Sequence, residues 1–190
     1  IIVQANKEKF KNLITYTIVN NILIENGIIA PKLISNHIKH GIMEISDLGQ
    51  KSFYEFIFKK KNKFYHYKNL VKLIIKLQNI KPKKNYYLGK NKVKLQIYTA
   101  NNLHKESDLF FDWYLFGILG KKKSYKFKNI IKKELNIIYK KIHFKNNFLV
   151  HRDFHVSNII PMKNKLGIID TQDTIIGNPM YDLASLIDDV

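Results

Sequence analysis

An α+β fold in two unequal parts is predicted for this chain of 190 residues by three features of its patterning. Short apolar, β-branched runs flank one long helical period before about residue 46. From Ser52 to about residue 142, apolar residues recur mainly at three- and four-residue spacing, which reads as helix almost without interruption. After residue 147 the period shortens again, to strand-like pieces separated by polar loops. The expected division is residues 1–46, with mixed strand and helix, and residues 47–190, mostly helical.

The elements follow in order. Residues 1–5 are short, apolar and β-branched, and read as a strand. Phe10, Leu13, Ile14, Thr17, Ile18 and Ile22 line one face of a helix over about 7–26, closed by the stop signal Asn26-Gly27. Pro31 opens an extended piece over 32–36. Residues 37–40 form a turn into a second apolar strand over 41–45, and Asp47-Leu48-Gly49 breaks the pattern. Leu70, Leu73, Ile74 and Leu77 mark the buried face of a further helix. Pro82 and Gly89 punctuate a loop. Residues 103–119 read as an aromatic-rich helix ending near Gly120. Ile130, Ile131, Leu135, Ile138 and Ile142 stripe another, with lysines on its outer face. Residues 148–150, 159–160 and 167–169 read as short strands, and 180–190 as the start of a helix. The chain begins inside a strand without a methionine and stops inside a helix, which predicts a fragment of a longer protein.

Composition narrows the function classes. A hydrophobic content of 45% suffices for a packed core and argues against disorder. No apolar run approaches the roughly 18 residues of a membrane span, so no membrane partner is expected. With no cysteine, thiolate metal sites and disulfides are excluded, and a cytoplasmic location is expected. The net charge of +18 invites a nucleic-acid reading, but Arg152 is the sole arginine among 33 basic residues. Phosphate and base recognition would normally draw on arginine forks, and no nucleic-acid partner is expected. The charge is also uneven: residues 1–150 carry +21 and residues 151–190 carry −3. An acidic end in a basic chain suits a cation site, while the surrounding lysines would steer an anionic substrate such as ATP.

The chemistry is concentrated after residue 150. His151-Arg152-Asp153-Phe154-His155-Val156-Ser157-Asn158 places an Asn five residues after an Asp. The run Leu166-Gly167-Ile168-Ile169 then delivers Asp170. These are the parts of a phosphoryl-transfer site. Asp153 can accept a proton from a substrate hydroxyl. Asn158 and Asp170 supply hard oxygen ligands of the kind magnesium prefers. The bland alternative is an Asp and an Asn that merely cap turns, and the coupled Asp170 argues against it.

Together with Gly167-Ile168-Ile169-Asp170-Thr171-Gln172-Asp173 and Gly177-Asn178-Pro179-Met180-Tyr181-Asp182-Leu183-Ala184, that segment resembles the aminoglycoside phosphotransferase/choline kinase-type enzymes. Its likeness is nearest to the branch of anomeric sugar kinases acting on N-acetylmuramate and N-acetylglucosamine. Upstream, the stretch from Glu106 through Trp113 to Leu115 resembles that branch's substrate-side helix, and Gly41 to Gly49 resembles its hinge. The resemblance implies a protein-kinase-like, two-lobed fold, with an incomplete N-lobe and a mostly helical C-lobe, truncated at both ends. It implies ATP and Mg²⁺ as cofactors and a small sugar as substrate, in cell-wall recycling. It implies Asp153 as catalytic base, with His151 orienting and Arg152 pairing with a carboxylate or a phosphate. It implies Asn158 and Asp170 as magnesium ligands, and backbone groups near Ile45 and Asp47 as the adenine contact. Asp182 would brace the catalytic loop, and His155, Glu106 and Trp113 would lie toward the substrate. The family's glycine-rich loop should precede residue 1, and the first strand offers no lysine to grip phosphates.

Two rival readings stand beside this one. His151, Asp153 and His155 alternate, so a strand would turn all three to one face as ligands of a metal-dependent hydrolase. Alternatively, Phe64-Tyr65 and Tyr86-Tyr87 among lysines would serve a basic nucleic-acid-binding module or a non-catalytic scaffold, although aromatics on lysine-rich helices are more often core.

Overall fold

The computed structural model describes residues 1–142, 146–163 and 165–188. Strands β1 (Ile2–Gln4), β2 (Leu33–His37) and β3 (Ile42–Ile45) form an antiparallel sheet in the order β1-β3-β2. Helix α1 (Phe10–Glu25) lies between β1 and β2 in sequence, and its Leu13 packs with Ile38, Met43 and Ile45 in one small core. Asn26 and Gly27 end α1, and Gly27 takes the left-handed conformation (φ 70°) that a helix stop of this kind requires.

Gly41 turns the chain into β3 at φ 73°. A Cβ there would lie 2.3 Å from the Phe10 ring and 2.4 Å from the Ala5 carbonyl oxygen. Gly41→Ala therefore combines left-handed strain with a clash against main chain. It should cost about 3 kcal/mol or more by urea unfolding. Gly89→Ala shares the positive φ (56°) but meets nothing within 4 Å, so it should cost only about 1 kcal/mol.

The larger part is built on α3 (Lys63–Gln78), whose Leu70, Leu73, Ile74 and Leu77 are all buried. They share one core with Ile18, Val19 and Leu23 of α1, with Phe53 and Ile57 of α2 (Phe53–Phe58), and with Leu149, Phe154, Ile159 and Ile168. This core spans both sequence regions. A two-stranded hairpin, β4 (Tyr86–Leu88) and β5 (Asn91–Val93), interrupts what the periodicity reads as helix and loop. Three-residue strands are too short to display an alternation, so the turn residue Gly89 was the only visible trace of it.

Helix α4 (Ala100–Leu109) passes through a π-helical turn, Phe110–Leu115, into α5 (Phe116–Lys141). Gly120 breaks α5 with φ 70° and ψ 168°, which lets the rest of the helix run back along the π-helical turn. Lys128 and Lys132 then reach Asp108 at 3.5 and 2.5 Å, and Lys128 reaches Asp112 at 2.7 Å. The apolar stripe on this helix is only partly covered: Ile131, Leu135 and Ile142 are half-buried, whereas Ile130 is 52% and Ile138 54% exposed. Helical periodicity identifies a face that can be covered, not whether anything covers it. Phe64 (80%), Tyr65 (58%) and Tyr87 (64%) are likewise exposed rather than core, whereas Tyr86 is buried.

The last segment holds two antiparallel pairs. β6 (Phe148–Val150) pairs with β9 (Ile175–Gly177), and β7 (Ile159–Met162) with β8 (Lys165–Ile168). The expected strand over 167–169 thus begins two residues earlier and ends at Ile168, and β9 was not anticipated. Helix α6 (Met180–Asp188) follows. Among the described residues, no helix is long and apolar enough to cross a membrane.

Candidate active site

Two strand ends deliver the polar residues to one place. β6 ends at Val150, and the chain leaves the sheet as the 151–158 loop. In the neighbouring hairpin, Ile159 pairs with Ile168 and the Ile169 N–H donates to the Asn158 carbonyl at 3.0 Å. That register sets Asn158 opposite Ile169, with Asp170 one residue beyond, at the open end of the hairpin. Asp170 has φ 62°, a left-handed conformation that Asp tolerates better than most residues.

Asp182, from the first turn of α6, holds the loop from below. Its Oδ2 accepts from the His151 N–H at 2.9 Å and its Oδ1 from the Arg152 N–H at 3.0 Å. Arg152 sits at φ 76°, a backbone state that costs of order 1 kcal/mol or more and persists where the surroundings enforce it. The two-pronged carboxylate supplies that enforcement. Burial raises the Asp182 carboxyl to about 6, against the two N–H bonds, which pull it down.

His151 ties the loop to the chain just beyond β8. Its Nε2 lies 2.9 Å from the Ile169 carbonyl oxygen. A carbonyl only accepts, so Nε2 carries the proton and Nδ1 is bare, buried and without a hydrogen-bond partner among the described residues. Burial lowers the pKa of this ring, although Asp153 and Asp170 both act on it in the opposite sense. Phe154, fully buried, meets the His151 ring edge-on at 6.2 Å between centroids.

The Asn158 amide is committed on its nitrogen side. Nδ2 donates to the Asp153 carbonyl at 3.0 Å and lies 3.2 Å from His155 Nε2, which accepts. The oxygen Oδ1 is the atom left to face a cation. Asp170 is exposed, and its Oδ1 accepts from Gln172 Nε2 at 2.7 Å. These hard oxygens suit magnesium, which takes few protein ligands and keeps sites for water and phosphate oxygens. Among the described residues, no three His, Cys, Asp or Glu side chains group as a metal site. The hydrolase reading also fails on geometry. The strand ends at Val150, so His151, Asp153 and His155 do not share a strand face; the buried His151 ring bonds a carbonyl, and His155 bonds Asn158.

The sole arginine has a carboxylate partner. Arg152 Nη2 lies 3.1 Å from Glu106 Oε1. The Tyr98 hydroxyl donates to Glu106 Oε2 at 2.5 Å, and the Tyr98 and Tyr181 rings meet edge-on at 5.3 Å. Burial raises the pKa of both tyrosines, and the Glu106 charge adds to it. For Arg152, burial opposes the charge, but the Tyr181 hydroxyl and Glu106 outweigh it. Tyr98 stands in no spaced motif, and Tyr181, although inside the 177–184 motif, was given no role there because its partner Glu106 lies far off in sequence. Trp113 is 78% exposed on the π-helical turn, with no hydrogen bond or ring contact to the loop among the described residues.

On the other side, Thr171 Oγ1 donates to Asn20 Oδ1 at 2.6 Å in a buried contact that ties the Asp170 segment to α1. At the expected hinge, the Ile45 N–H donates to the Ile1 carbonyl and the Ile45 carbonyl accepts from the Ile1 amino group, each at 2.9 Å. Both Ile45 main-chain groups are therefore engaged. The Asp47 side chain accepts from the Gly49 N–H at 2.8 Å, closing a local turn.

A family model described as phosphotransferase enzyme family matches residues 95–190, just over half of the chain and the part that contains all of the loop residues above. The chain belongs to this phosphotransferase family. It is 24% identical over 149 residues to an N-acetylmuramate/N-acetylglucosamine kinase of Neisseria meningitidis serogroup B (strain ATCC BAA-335 / MC58), covering 78% of this chain and 43% of that protein. A kinase of the same name from Pseudomonas aeruginosa is 24% identical over 175 residues, covering 90% of this chain and 48% of the relative. The chain thus spans under half the length of these curated relatives. Among solved structures, the fold matches the streptomycin-ATP-APH(2″)-IIa ternary complex with a TM-score of 0.65 at 17% identity, over 95% of this chain and 61% of that one. It matches choline kinase LicA from Streptococcus pneumoniae with a TM-score of 0.58 at 15% identity, over 98% and 60%. The fold of this family member is therefore the kinase-like fold of those phosphotransferases, with mixed helix and strand.

Proposed function

We propose that the protein is an ATP- and magnesium-dependent small-molecule kinase that phosphorylates a hydroxyl group, with an amino sugar of the N-acetylmuramate/N-acetylglucosamine type as acceptor. The observation that carries this reading is the double clamp of Asp182 on the main chain of His151 and Arg152. It fixes the backbone one residue before Asp153, and His151 ties the same loop to the strand end bearing Asp170. Positioning of this kind is most of what a loose phosphoryl-transfer transition state requires of a protein.

In this reading Asp153 orients the acceptor hydroxyl and takes its proton late. Asn158 Oδ1 and the Asp170 carboxylate hold magnesium, which would neutralise charge developing on the transferred group. Arg152, neutralised by Glu106, shapes the acceptor side of the loop. His155 and Trp113 are assigned to that side as well. Residues 1–46 form the nucleotide-covering part and residues 47–190 the catalytic part. With both Ile45 main-chain groups engaged, the adenine contact falls to the stretch from Asp47 onward. The two kinases of that name at 24% identity favour the amino-sugar acceptor. The lysine-rich surface favours the same choice over a polycationic acceptor, since like charges repel.

The test is an acceptor screen on the complete protein, reading ADP release with Mg-ATP against amino sugars, aminoglycosides and choline. Turnover with N-acetylmuramate or N-acetylglucosamine at least tenfold above the others is expected. Turnover of aminoglycosides or choline in preference would overturn the acceptor assignment. No acceptor-dependent ADP release at all would overturn the kinase reading.

A further inference from the structure

A cavity of about 1180 Å³ opens beside the β7–β8 hairpin. It is walled by α2, α3, the hairpin and the Gly27–Ile29 turn after α1, and it shares no residue with the 151–158 loop or with Asp170. Its floor is apolar and aromatic. Phe53 and Leu73 are buried there, and His66 packs edge-on against Phe56 at 5.0 Å. Its rim is cationic. Seven lysines line it, among them Lys59 and Lys60 beside α2, Lys72 and Lys76 on α3, and Lys163 and Lys165 on the hairpin, against Glu55 as the one acid.

The lysine-rich surface as a whole does not explain this. Among the described residues lysine supplies 29 of the 89 exposed positions, about one in three, but 7 of the 11 exposed positions that line the cavity. Nor does any ion pair among the described residues neutralise these charges. The ion pairs among the described residues involve Lys128, Lys132 and Arg152, none of which lines the cavity. Lys60 lies over the Phe56 ring at 4.5 Å, and Lys76 donates to the Gly27 carbonyl at 2.6 Å. Both contacts hold amines at the cavity wall without cancelling their charge. Lysine is a point-charge partner for phosphate, and several lysines around a concave apolar floor raise the local anion concentration. Pockets of this kind bury the ligand body and fix its orientation through a few polar groups.

We infer that this cavity is a second ligand site of the protein, built for a small organic phosphate: a compact molecule with one or more phosphate groups on an apolar or aromatic body. It is separate from the proposed catalytic groove and does not depend on the kinase reading.

The test uses the complete protein with two probes. Pyridoxal 5′-phosphate carries a phosphate on an aromatic ring and forms a reducible imine with nearby lysines. After borohydride reduction and peptide mapping, the cavity lysines should be labelled several-fold above the exposed lysines of α5, and tripolyphosphate should protect them. The second arm is tripolyphosphate affinity by calorimetry in EDTA. Lys72→Glu combined with Lys163→Glu should weaken it at least tenfold. Lys122→Glu combined with Lys133→Glu, on exposed positions of α5 and with the same charge change, should weaken it less than twofold. Matched thermal melts exclude unfolding as the cause. Labelling that simply follows exposure, or equal losses in both double variants, would show a diffuse field and overturn the site. Protection by tripolyphosphate without enrichment by the pyridoxal probe would overturn the role of the aromatic floor.

Discussion

Replacing Asp153 by Ala in the complete protein is expected to lower turnover by at least about 10³-fold, with little change in the unfolding midpoint. Asp153 is partly exposed, and its main-chain carbonyl, not its carboxylate, anchors Asn158. The substitution therefore leaves the contact that anchors Asn158 intact. Loss of a positioned base and orienting group is worth roughly 10²–10⁴-fold. Asp170→Asn should act differently. It keeps an oxygen toward the cation but removes a charge, so it should raise the magnesium requirement as well as lower turnover. Single-turnover kinetics across a magnesium series distinguish the two. Activity near the parental level in Asp153→Ala would remove the base from the mechanism, and an unchanged magnesium profile in Asp170→Asn would remove the metal ligand.

Asp182→Ala should give the largest loss of stability among the loop residues. Two buried N–H groups, on His151 and Arg152, lose their acceptor, and each orphaned donor costs about 1–3 kcal/mol. Arg152 also loses the contact that holds it at positive φ. The pH dependence has a definite sign. The folded Asp182 carboxyl lies at about 6, above the ordinary unfolded value of about 3.9. The folded state therefore binds this proton more tightly than the unfolded chain does. The associated stabilisation is fully present below about pH 4 and is lost as pH rises through 6, and its full size is roughly 3 kcal/mol. The stability gap between parent and Asp182→Ala, read from urea midpoints, should accordingly shrink between pH 4 and pH 7. A gap that widens with pH would mean that the two N–H donors outweigh burial and keep the carboxylate ionised in the folded protein.

The local spacing of Asp153, Asn158 and Asp170 was legible because each lies within a few residues of a strand end, and strand ends can be read from apolar runs. What supports those residues was less legible. Asn20 meets Thr171 across 151 residues of sequence, and Arg152 meets Glu106 across 46. No periodicity joins such pairs, because they come together only when α1 and α4 pack against the 151–173 segment. The β4–β5 hairpin and β9 were missed for another reason: three residues carry too little pattern to separate a strand from a loop.

The amino-acid sequence alone determined where the helices and longer strands run, since apolar periodicity is a local property, and which residues carry oxygen donors at kinase-like spacing. Tertiary structure decided which apolar faces are covered: α3 buries its stripe, whereas Ile130 and Ile138 on α5 do not. It also decided that Ile45 is engaged by Ile1, that Arg152 is neutralised by Glu106, and that lysines from three distant segments ring one cavity. Each of these depends on which surfaces exclude water from one another, and that is settled only by packing between elements distant in the chain.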